Sequence, residues 1–287
     1  MYSNTACKQS ATFRRTALAC TLAFLAATAT SVAQYGDKIT VPLSDPARPG
    51  HVIVSLVMGS ITVKAYEGKD VIVSMHSKGE DAEKPAKNGM HRIPMTGSHL
   101  TAMEENNVVR IETDSYRNAV DLSIDVPVMT SLKLSSVNDG NISVTGVEGD
   151  IEVNNTNGKI TLINVAGSVV AHALNDKIIA TFRSVNPQKP MSFSSMNGDI
   201  DVTFPPDFKG TMIMSTDNGE VYTDFEVQLM PKKPTQTLEN SRDRGGRYQV
   251  KIDNRTVHGA INGGGQEVQL KNYNGNIFIR KAGASKN

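Results

Sequence analysis

Residues 138–171 read NDGNISVTGVEGDIEVNNTNGKITLINVAGSVVA, and this stretch decides the fold. Four of its five glycines, at positions 140, 149, 158 and 167, are separated by a step of nine residues each time. Each of these four glycines is followed by one polar residue and then by an apolar–x–apolar triplet. Glycine accepts the backbone angles of a tight turn, and such a triplet places two apolar side chains on one face of a strand. The sequence therefore predicts short strands joined by tight turns.

The same unit recurs along the chain. Asp176 takes the next position in the nine-residue step, and Asn-Gly pairs at 197–198, 218–219 and 274–275 each precede a similar triplet. A looser copy begins at Gly59. We expect the outer residues of each triplet to point into a core and the middle residue to point to solvent. The predicted inward pairs are Ile142/Val144, Ile151/Val153, Ile160/Leu162 and Ile200/Val202, and the predicted outward residues are Ser143, Glu152, Thr161 and Asp201.

Two all-β architectures fit this pattern. An antiparallel meander has short strands joined by Asn-Gly hairpins, whereas a single-stranded β-helix, or β-solenoid, has a turn and a strand twice around each coil. The larger spacings favour the β-helix, since Gly158 to Asp176 is 18 residues, Asp176 to Gly198 is 22 and Gly198 to Gly219 is 21. We predict a β-helix with about 20 residues per coil and Asn-Gly turns. Helix is expected almost nowhere outside residues 1–33.

Residues 1–33 have the pattern of a secretory signal peptide. A basic segment precedes an alanine-rich stretch at 17–29, and Ser31-Val32-Ala33 offers small residues for cleavage before Gln34. A lipoprotein box at Cys20 and a twin-arginine signal fit less well. Cleavage removes Cys20 and Cys7 and leaves 27 basic and 29 acidic residues. We expect export to the periplasm, the cell surface or the medium, with no disulfide, no transmembrane span in the mature chain and no charge excess that would attract nucleic acid.

The mature chain is predicted to have two regions. Residues 34–130 form an N-terminal β region with a mobile loop at 77–99, and residues 131–287 form the β-helix repeats with a charged excursion at 231–247. The basic residues of the excursion fit a solvated loop better than a contact with anionic polysaccharide. They are Lys232, Lys233, Arg242, Arg244 and Arg247.

Two runs of sequence carry a resemblance to a bacterial family. The run from Asp125-Val126-Pro127 to Asn138-Asp139-Gly140-Asn141-Ile142 is similar to the beginning of the putative-adhesin domain, whose function is unknown. The run Gly259–Gly265, followed by Asn274-Gly275-Asn276-Ile277, is similar to its closing signature. The resemblance covers roughly residues 50–280. It implies an exported, single-chain β-helix, right-handed like the pectin-lyase-type helices, and it brings with it no ligand and no catalytic residue.

Four carboxylates form the sharpest candidate site. They are Asp150, Glu152, Asp199 and Asp201. Stacked on neighbouring coils, their oxygens would suit Ca²⁺. Asp150 and Asp199 directly follow turns, however, where short polar residues are expected without any ligand. The favoured interpretation is therefore no metal, no cofactor and no catalytic residue.

Other residue types are interpreted as structural. The histidines share no metal-ligand spacing, no Gly-x-Ser-x-Gly motif occurs, and Gly263-Gly264-Gly265 predicts a turn or bulge. The histidines are His51, His76, His91, His99, His172 and His258. One set of asparagines is expected to stack into a hydrogen-bonded ladder. Its members are Asn157, Asn175, Asn197, Asn218 and Asn274.

The sequence thus favours a non-enzymatic, exported, adhesin-like or envelope-associated β-helical protein, whose partner is a surface polysaccharide or an envelope protein. The alternative is a β-helix carbohydrate-active enzyme, a polysaccharide lyase or hydrolase. It would need clustered carboxylates beside Arg or Lys on one outer face and aromatic subsites, and the chain contains no Trp. An envelope sensor is a weaker third hypothesis because the mature chain has no predicted span.

Overall fold

The computed structural model describes residues 38–77, 100–113, 119–231, 236–241, 247–252 and 255–283, with the backbone alone for 77, 236–241 and 247–252. Every regular element in these residues is a β-strand, so the prediction of an all-β protein is confirmed. The predicted signal peptide and residues 78–99 of the predicted loop lie outside the described residues. The strands are β1 (Lys38–Pro42), β2 (Gly50–Met58), β3 (Ile61–Tyr66), β4 (Asp70–Ser77), β5 (Leu100–Glu105), β6 (Val108–Thr113), β7 (Val120–Pro127), β8 (Thr130–Asn138), β9 (Ile142–Thr145), β10 (Ile151–Asn155), β11 (Ile160–Gly167), β12 (Val169–Ala173), β13 (Ile178–Val185), β14 (Met191–Asn197), β15 (Ile200–Phe204), β16 (Gly210–Asn218), β17 (Val221–Thr223), β18 (Val227–Leu229), β19 (Gln236–Ser241), β20 (Arg247–Ile252), β21 (Thr256–Ile261), β22 (Gln266–Asn274) and β23 (Ile277–Lys281).

The strands form two large mixed sheets and one separate hairpin. Sheet A has the order β1-β4-β7-β3-β9-β11-β13-β15-β23-β17, and sheet B has the order β18-β21-β16-β22-β14-β12-β10-β8-β2-β6-β5. The hairpin is β19-β20. Parallel strands fill the middle of each sheet, and antiparallel strands such as β4, β5 and β21 lie towards the ends. A single-stranded β-helix is not confirmed, because both sheets contain these antiparallel pairs.

Between β8 and β15 the chain alternates between the sheets. Each strand of sheet B leads through a short corner into a strand of sheet A, and we call such a pair a β-arch. Successive β-arches stack in parallel, which aligns Ile142, Ile160, Ile178 and Ile200 across sheet A. Each of these isoleucines is fully buried. The repeated unit of residues 138–171 therefore consists of one corner and the strand that follows it. Two such units in succession supply the two strands of a β-arch.

Two β-arches lie out of chain order. The β22–β23 arch lies between β14–β15 and β16–β17, and the β2–β3 arch lies between β6–β7 and β8–β9. At the first insertion, β21 runs antiparallel to β16 on one side, and β22 runs parallel to it on the other. The link Asn262–Gly265 crosses the start of β16, with positive φ angles of 50°, 86° and 84° at Asn262, Gly263 and Gly264. The predicted turn at Gly263-Gly264-Gly265 is confirmed.

One hydrophobic core receives side chains from both sheets. All four predicted inward pairs are buried, while the four predicted outward residues are half-buried on the outer faces. Fully burying such an aliphatic side chain contributes about 1.5–3 kcal/mol. The corners of neighbouring β-arches also pack closely against one another. A Cβ added at Gly140 would lie only 1.7 Å from the carbonyl oxygen of Gly59. Glycine at this corner is required by close approach of the neighbouring backbone.

The predicted asparagine ladder is confirmed. Each of the five predicted Asn side chains donates from Nδ2 to Oδ1 of the Asn in a neighbouring β-arch, at 2.7–3.0 Å. The order along the stack is Asn138, Asn157, Asn175, Asn197, Asn274 and Asn218, and these six residues are the Asn ladder. Asn138, at one end of the stack, was not part of the prediction.

A second, buried row of polar groups was not predicted. Asn155 donates from Nδ2 to the Gly140 carbonyl at 3.0 Å, and Asn272 donates to the Gly198 carbonyl at 2.9 Å. Ser136 makes the equivalent bond to the Gly59 carbonyl at 2.9 Å. These side chains satisfy corner carbonyls that would otherwise be buried without a partner.

Candidate functional site

The corners that lead from sheet A back into sheet B differ in length. Ser168 alone connects β11 to β12, whereas residues 186–190 connect β13 to β14. The longer connection is held in place at both ends, because Gln188 N–H donates to Asn186 Oδ1 at 3.0 Å and Ser168 Oγ donates to the Pro190 carbonyl at 2.7 Å. It therefore stands over the shorter corner beside it and forms one wall of a groove.

This corner groove consists of two adjoining hollows. One has a volume of about 420 Å³ and is lined in part by Met129, Glu148 and Asn186. The other has a volume of about 310 Å³ and is lined in part by His51, Glu152, Val170 and Pro190. Asp150 and Lys189 line both hollows and form a salt bridge of 2.5 Å between them.

Charged side chains in and beside the groove form pairs of opposite sign. Besides Asp150 and Lys189, Glu152 Oε1 lies 3.0 Å from Lys133 Nζ, and Glu148 is paired with Arg183. These side chains are about half exposed, and exposed pairs of this kind contribute at most about 1 kcal/mol each to stability. Their hydrogen-bonding groups can therefore be redirected to a ligand at low cost.

His51 lies against this charged row. Burial lowers the pKa of His51, the positive charges of Lys133 and Arg110 lower it further, and Glu152 and Asp150 act in the opposite direction. The imidazole is therefore neutral at pH 7 and offers one donor and one acceptor. The groove combines this neutral group with paired charges and with exposed apolar surface at Met129 and Val170, which suits a ligand rich in hydroxyl groups.

The four predicted carboxylates do not form one cluster. Asp150 and Glu152 lie in the corner groove beside sheet B, whereas Asp201 lies in β15 and Asp199 at the corner before it, in sheet A. Asp199 Oδ1 accepts a hydrogen bond from the Asn276 N–H at 2.8 Å. The described residues contain no group of three or more His, Cys, Asp or Glu side chains placed to hold a metal.

Asp201 belongs to a largely half-buried cluster on the outer face of sheet A. Asp201 accepts hydrogen bonds from Arg280 Nε at 2.7 and 3.0 Å. The guanidinium of Arg280 lies 5.1 Å from the ring centre of Phe278, and that ring stacks on Tyr222 at 5.3 Å. Asp201 is therefore already engaged by a cation.

The structure places three of the other histidines on strands and does not describe the remaining two or the side chains of the basic cluster. His172 contributes Nδ1 to a hydrogen bond of 2.7 Å with Ser194 Oγ on the outer face of sheet B. His76 and His258 lie in strands of the terminal antiparallel segments. His91, His99 and the side chains of the basic cluster of residues 232–247 lie outside what the structure describes.

Sequence reasoning missed Lys189 and the role of His51. A signal for the groove was present, because the coil from Asp176 to Gly198 has 22 residues where the preceding one has 18. The additional residues include Pro187 and Pro190, which favour a standing loop rather than a strand.

No family model and no curated protein matches the sequence. Two solved structures are similar over 85% of this chain. One is described as a putative cell adhesion protein from Clostridium sporogenes ATCC 15579, with 10% identity, 98% of that chain covered and a TM-score of 0.38. The other is described as a putative adhesin from Bacteroides fragilis NCTC 9343, with 11% identity, 95% covered and a TM-score of 0.30. TM-scores this low support no inference about function, and membership of the adhesin-domain family stays a prediction.

The described part of the chain contains no helix with the length and apolar character needed to cross a bilayer.

Proposed function

We propose that this chain is an exported, adhesin-like binding protein without enzymatic activity, and that it holds a surface polysaccharide in the corner groove and along the outer face of sheet B. The observation that carries the proposal is the continuity of the two surfaces. Glu152 and Val170 line the groove and also belong to a row of outward residues in register across eight parallel strands. This row is Arg110, Ile53, Lys133, Glu152, Val170, Ser192, Gln269 and Ile213.

The dimensions of this face suit an extended polymer. Seven strand-to-strand steps of about 4.8 Å give a length of about 34 Å. A linear polysaccharide repeats at a similar interval, so successive sugar rings can meet equivalent positions on successive strands. The mixture of charged, amide, hydroxyl and aliphatic side chains offers hydrogen bonds to hydroxyl groups and apolar contact to ring carbons.

A β-solenoid core, its handedness and export of the chain are part of the same proposal. The parallel register from one β-arch to the next supports a β-solenoid core closed at its ends by antiparallel strands, and the predicted handedness is right-handed. Export rests on the signal-peptide pattern of residues 1–33.

The test measures binding and chemistry together. The purified protein is passed over immobilised peptidoglycan, cellulose, chitin and alginate, with and without Ca²⁺, and soluble sugar is measured in parallel. Asp150→Asn is expected to weaken binding to the retained polymer about tenfold, since it disrupts the charge pair between the two hollows. Asp201→Asn is the matched control, because it removes a cation-paired carboxylate from sheet A, and it should bind like the wild type.

Three results would overturn the proposal. They are failure to retain any of the four polymers, equal loss of binding in both variants, and release of soluble sugar that Asp150→Asn abolishes. The last result would establish the alternative, a carbohydrate-active enzyme.

A further inference from the structure

The Asn ladder contains four Asn-Gly pairs, at 157–158, 197–198, 218–219 and 274–275. In this dipeptide the backbone nitrogen of glycine can attack the side-chain amide carbon of the asparagine, because no side chain on the glycine hinders the approach. The four pairs share their local sequence chemistry and their position at the corner. Their hydrogen bonds and burial differ.

The inner pairs are held by hydrogen bonds that the attack would have to break. The side chains of Asn197 and Asn274 are each bonded on both sides within the ladder. The attacking nitrogens are engaged as well, since Gly198 N–H donates to the Asn274 carbonyl at 3.0 Å and Gly275 N–H donates to the Asn218 carbonyl at 3.1 Å. Asn157 is likewise bonded on both sides, and Gly158 is buried.

Asn218 occupies the end of the ladder. Its Nδ2 donates to Asn274 at 2.9 Å, and among the described residues its Oδ1 accepts no hydrogen bond. Gly219 is exposed, whereas Gly198 and Gly275 are half-buried, and the Gly219 N–H has no backbone partner in the described residues. The following strand, β17, has three residues, all exposed, at the edge of sheet A.

We propose that Asn218 is a site of spontaneous deamidation and reacts ahead of the other asparagines of the ladder. The Gly219 backbone nitrogen bonds to the Asn218 Cγ, its proton leaves with the side-chain nitrogen as ammonia, and a five-membered succinimide forms. Water then opens the ring at either carbonyl and yields aspartate or isoaspartate at position 218. The net change consumes one water and releases one ammonia, without any oxidant or reductant.

The modification changes the end of the stack in two ways. A carboxylate at position 218 has no donor for Asn274 Oδ1, so the ladder loses its last hydrogen bond. The new negative charge also joins Asp217 and Glu220, which flank the pair. A charged strand end is a known barrier to edge-to-edge association, so the aged protein should add further copies at this end less readily.

The experiment follows all four pairs in one sample. The purified wild-type protein is incubated in mildly alkaline buffer, and the conversion of amide to acid is measured at each site by peptide mass mapping. Loss of about two hydrogen bonds at the inner sites corresponds to reaction about tenfold slower, or more, than at Asn218. Asn218→Gln should leave unchanged the slow rates at Asn157 and Asn197, whose side chains do not bond to Asn218.

Incubation in concentrated urea is the second arm, since it removes the fold and keeps the sequence. The four sites should then react at similar rates. The proposal is overturned if Asn197 or Asn274 reacts as fast as Asn218 in the folded protein, if Asn218 does not react, or if the same preference for Asn218 persists in urea.

Discussion

Replacing Asn175 by alanine removes two hydrogen bonds from the middle of the Asn ladder. Asn175 Nδ2 donates to Asn157 Oδ1 at 2.7 Å, and Asn175 Oδ1 accepts from Asn197 Nδ2 at 3.0 Å. A hydrogen bond within a folded protein contributes about 0.5–1.5 kcal/mol net. Asn175 and its two partners are exposed, so water partly replaces each lost partner and the lower half of this range applies. We expect Asn175→Ala to lower the free energy of unfolding by about 1–2 kcal/mol.

The assay is urea denaturation, which gives the free energy of unfolding of the wild type, of Asn175→Ala and of two control variants. Asn138→Ala lies at the equivalent corner position and loses one ladder bond instead of two. Asn154→Ala removes an asparagine from β10 whose side chain has no hydrogen bond to the described residues. The expected order of destabilisation is Asn175→Ala first, Asn138→Ala second and Asn154→Ala last.

The comparison with Asn154→Ala decides the result. If Asn175→Ala and Asn154→Ala lower the free energy of unfolding equally, the ladder bonds contribute nothing beyond what water supplies. The repeated asparagines would then be explained by the turn conformation that they favour and not by their stacking.

Three further predictions concern the buried corner row, the corner spacing and the groove. Asn155→Ala should lower the free energy of unfolding, measured in a urea titration, by about 2–3 kcal/mol, because it leaves the buried Gly140 carbonyl without its donor. A smaller loss of stability than that caused by an exposed Asn→Ala change would contradict this. Gly140→Ala should cost more than about 4 kcal/mol or prevent folding, because its Cβ meets the Gly59 backbone, and a circular dichroism melt near that of the wild type would refute it. Burial and then Lys133 lower the pKa of His51, so its contribution to stability is complete above about pH 6.5 and is lost as the pH falls below that value. Lys133→Gln should raise the NMR titration midpoint of His51, and an unchanged midpoint would show that Lys133 does not act on it.

The strand content and the core were predictable because they depend on local chemistry. The triplet of residues 142–144 specifies a half-buried strand without reference to its neighbours, and the Asn-Gly pairs specify corners in the same way. The ladder followed from the same reasoning, since corners of identical chemistry at regular intervals bring identical side chains together. The mixed sheets were not predictable on this basis, because a period-two pattern is compatible with parallel and antiparallel partners alike.

The candidate site shows where the repeat misled the sequence analysis. The repeated unit equates Asp150 with Asp199, since each follows a glycine and precedes an apolar–x–apolar triplet. Nine residues make only half of a β-arch, however, so the glycines of the step alternate between the two kinds of corner. Asp150 leads into β10 of sheet B, and Asp199 leads into β15 of sheet A. The groove itself arose from a departure from the repeat, at residues 186–190.

The order of the β-arches has a local cause that the repeat conceals. Apolar triplets and ladder asparagines fit any neighbour, since Asn197 Oδ1 could accept a hydrogen bond from Asn218 as well as from Asn274. The link Asn262–Gly265 removes this ambiguity. Asn262 Nδ2 donates to the Phe208 carbonyl at 2.7 Å and Thr211 Oγ1 donates to the Gly265 carbonyl at 3.3 Å, so the link is fastened to both sides of the start of β16. Two strands joined across the start of a third must flank it, so with β21 on the outer side, β22 has to enter between β16 and β14. The positive φ angles at this link are what allow so short a crossing.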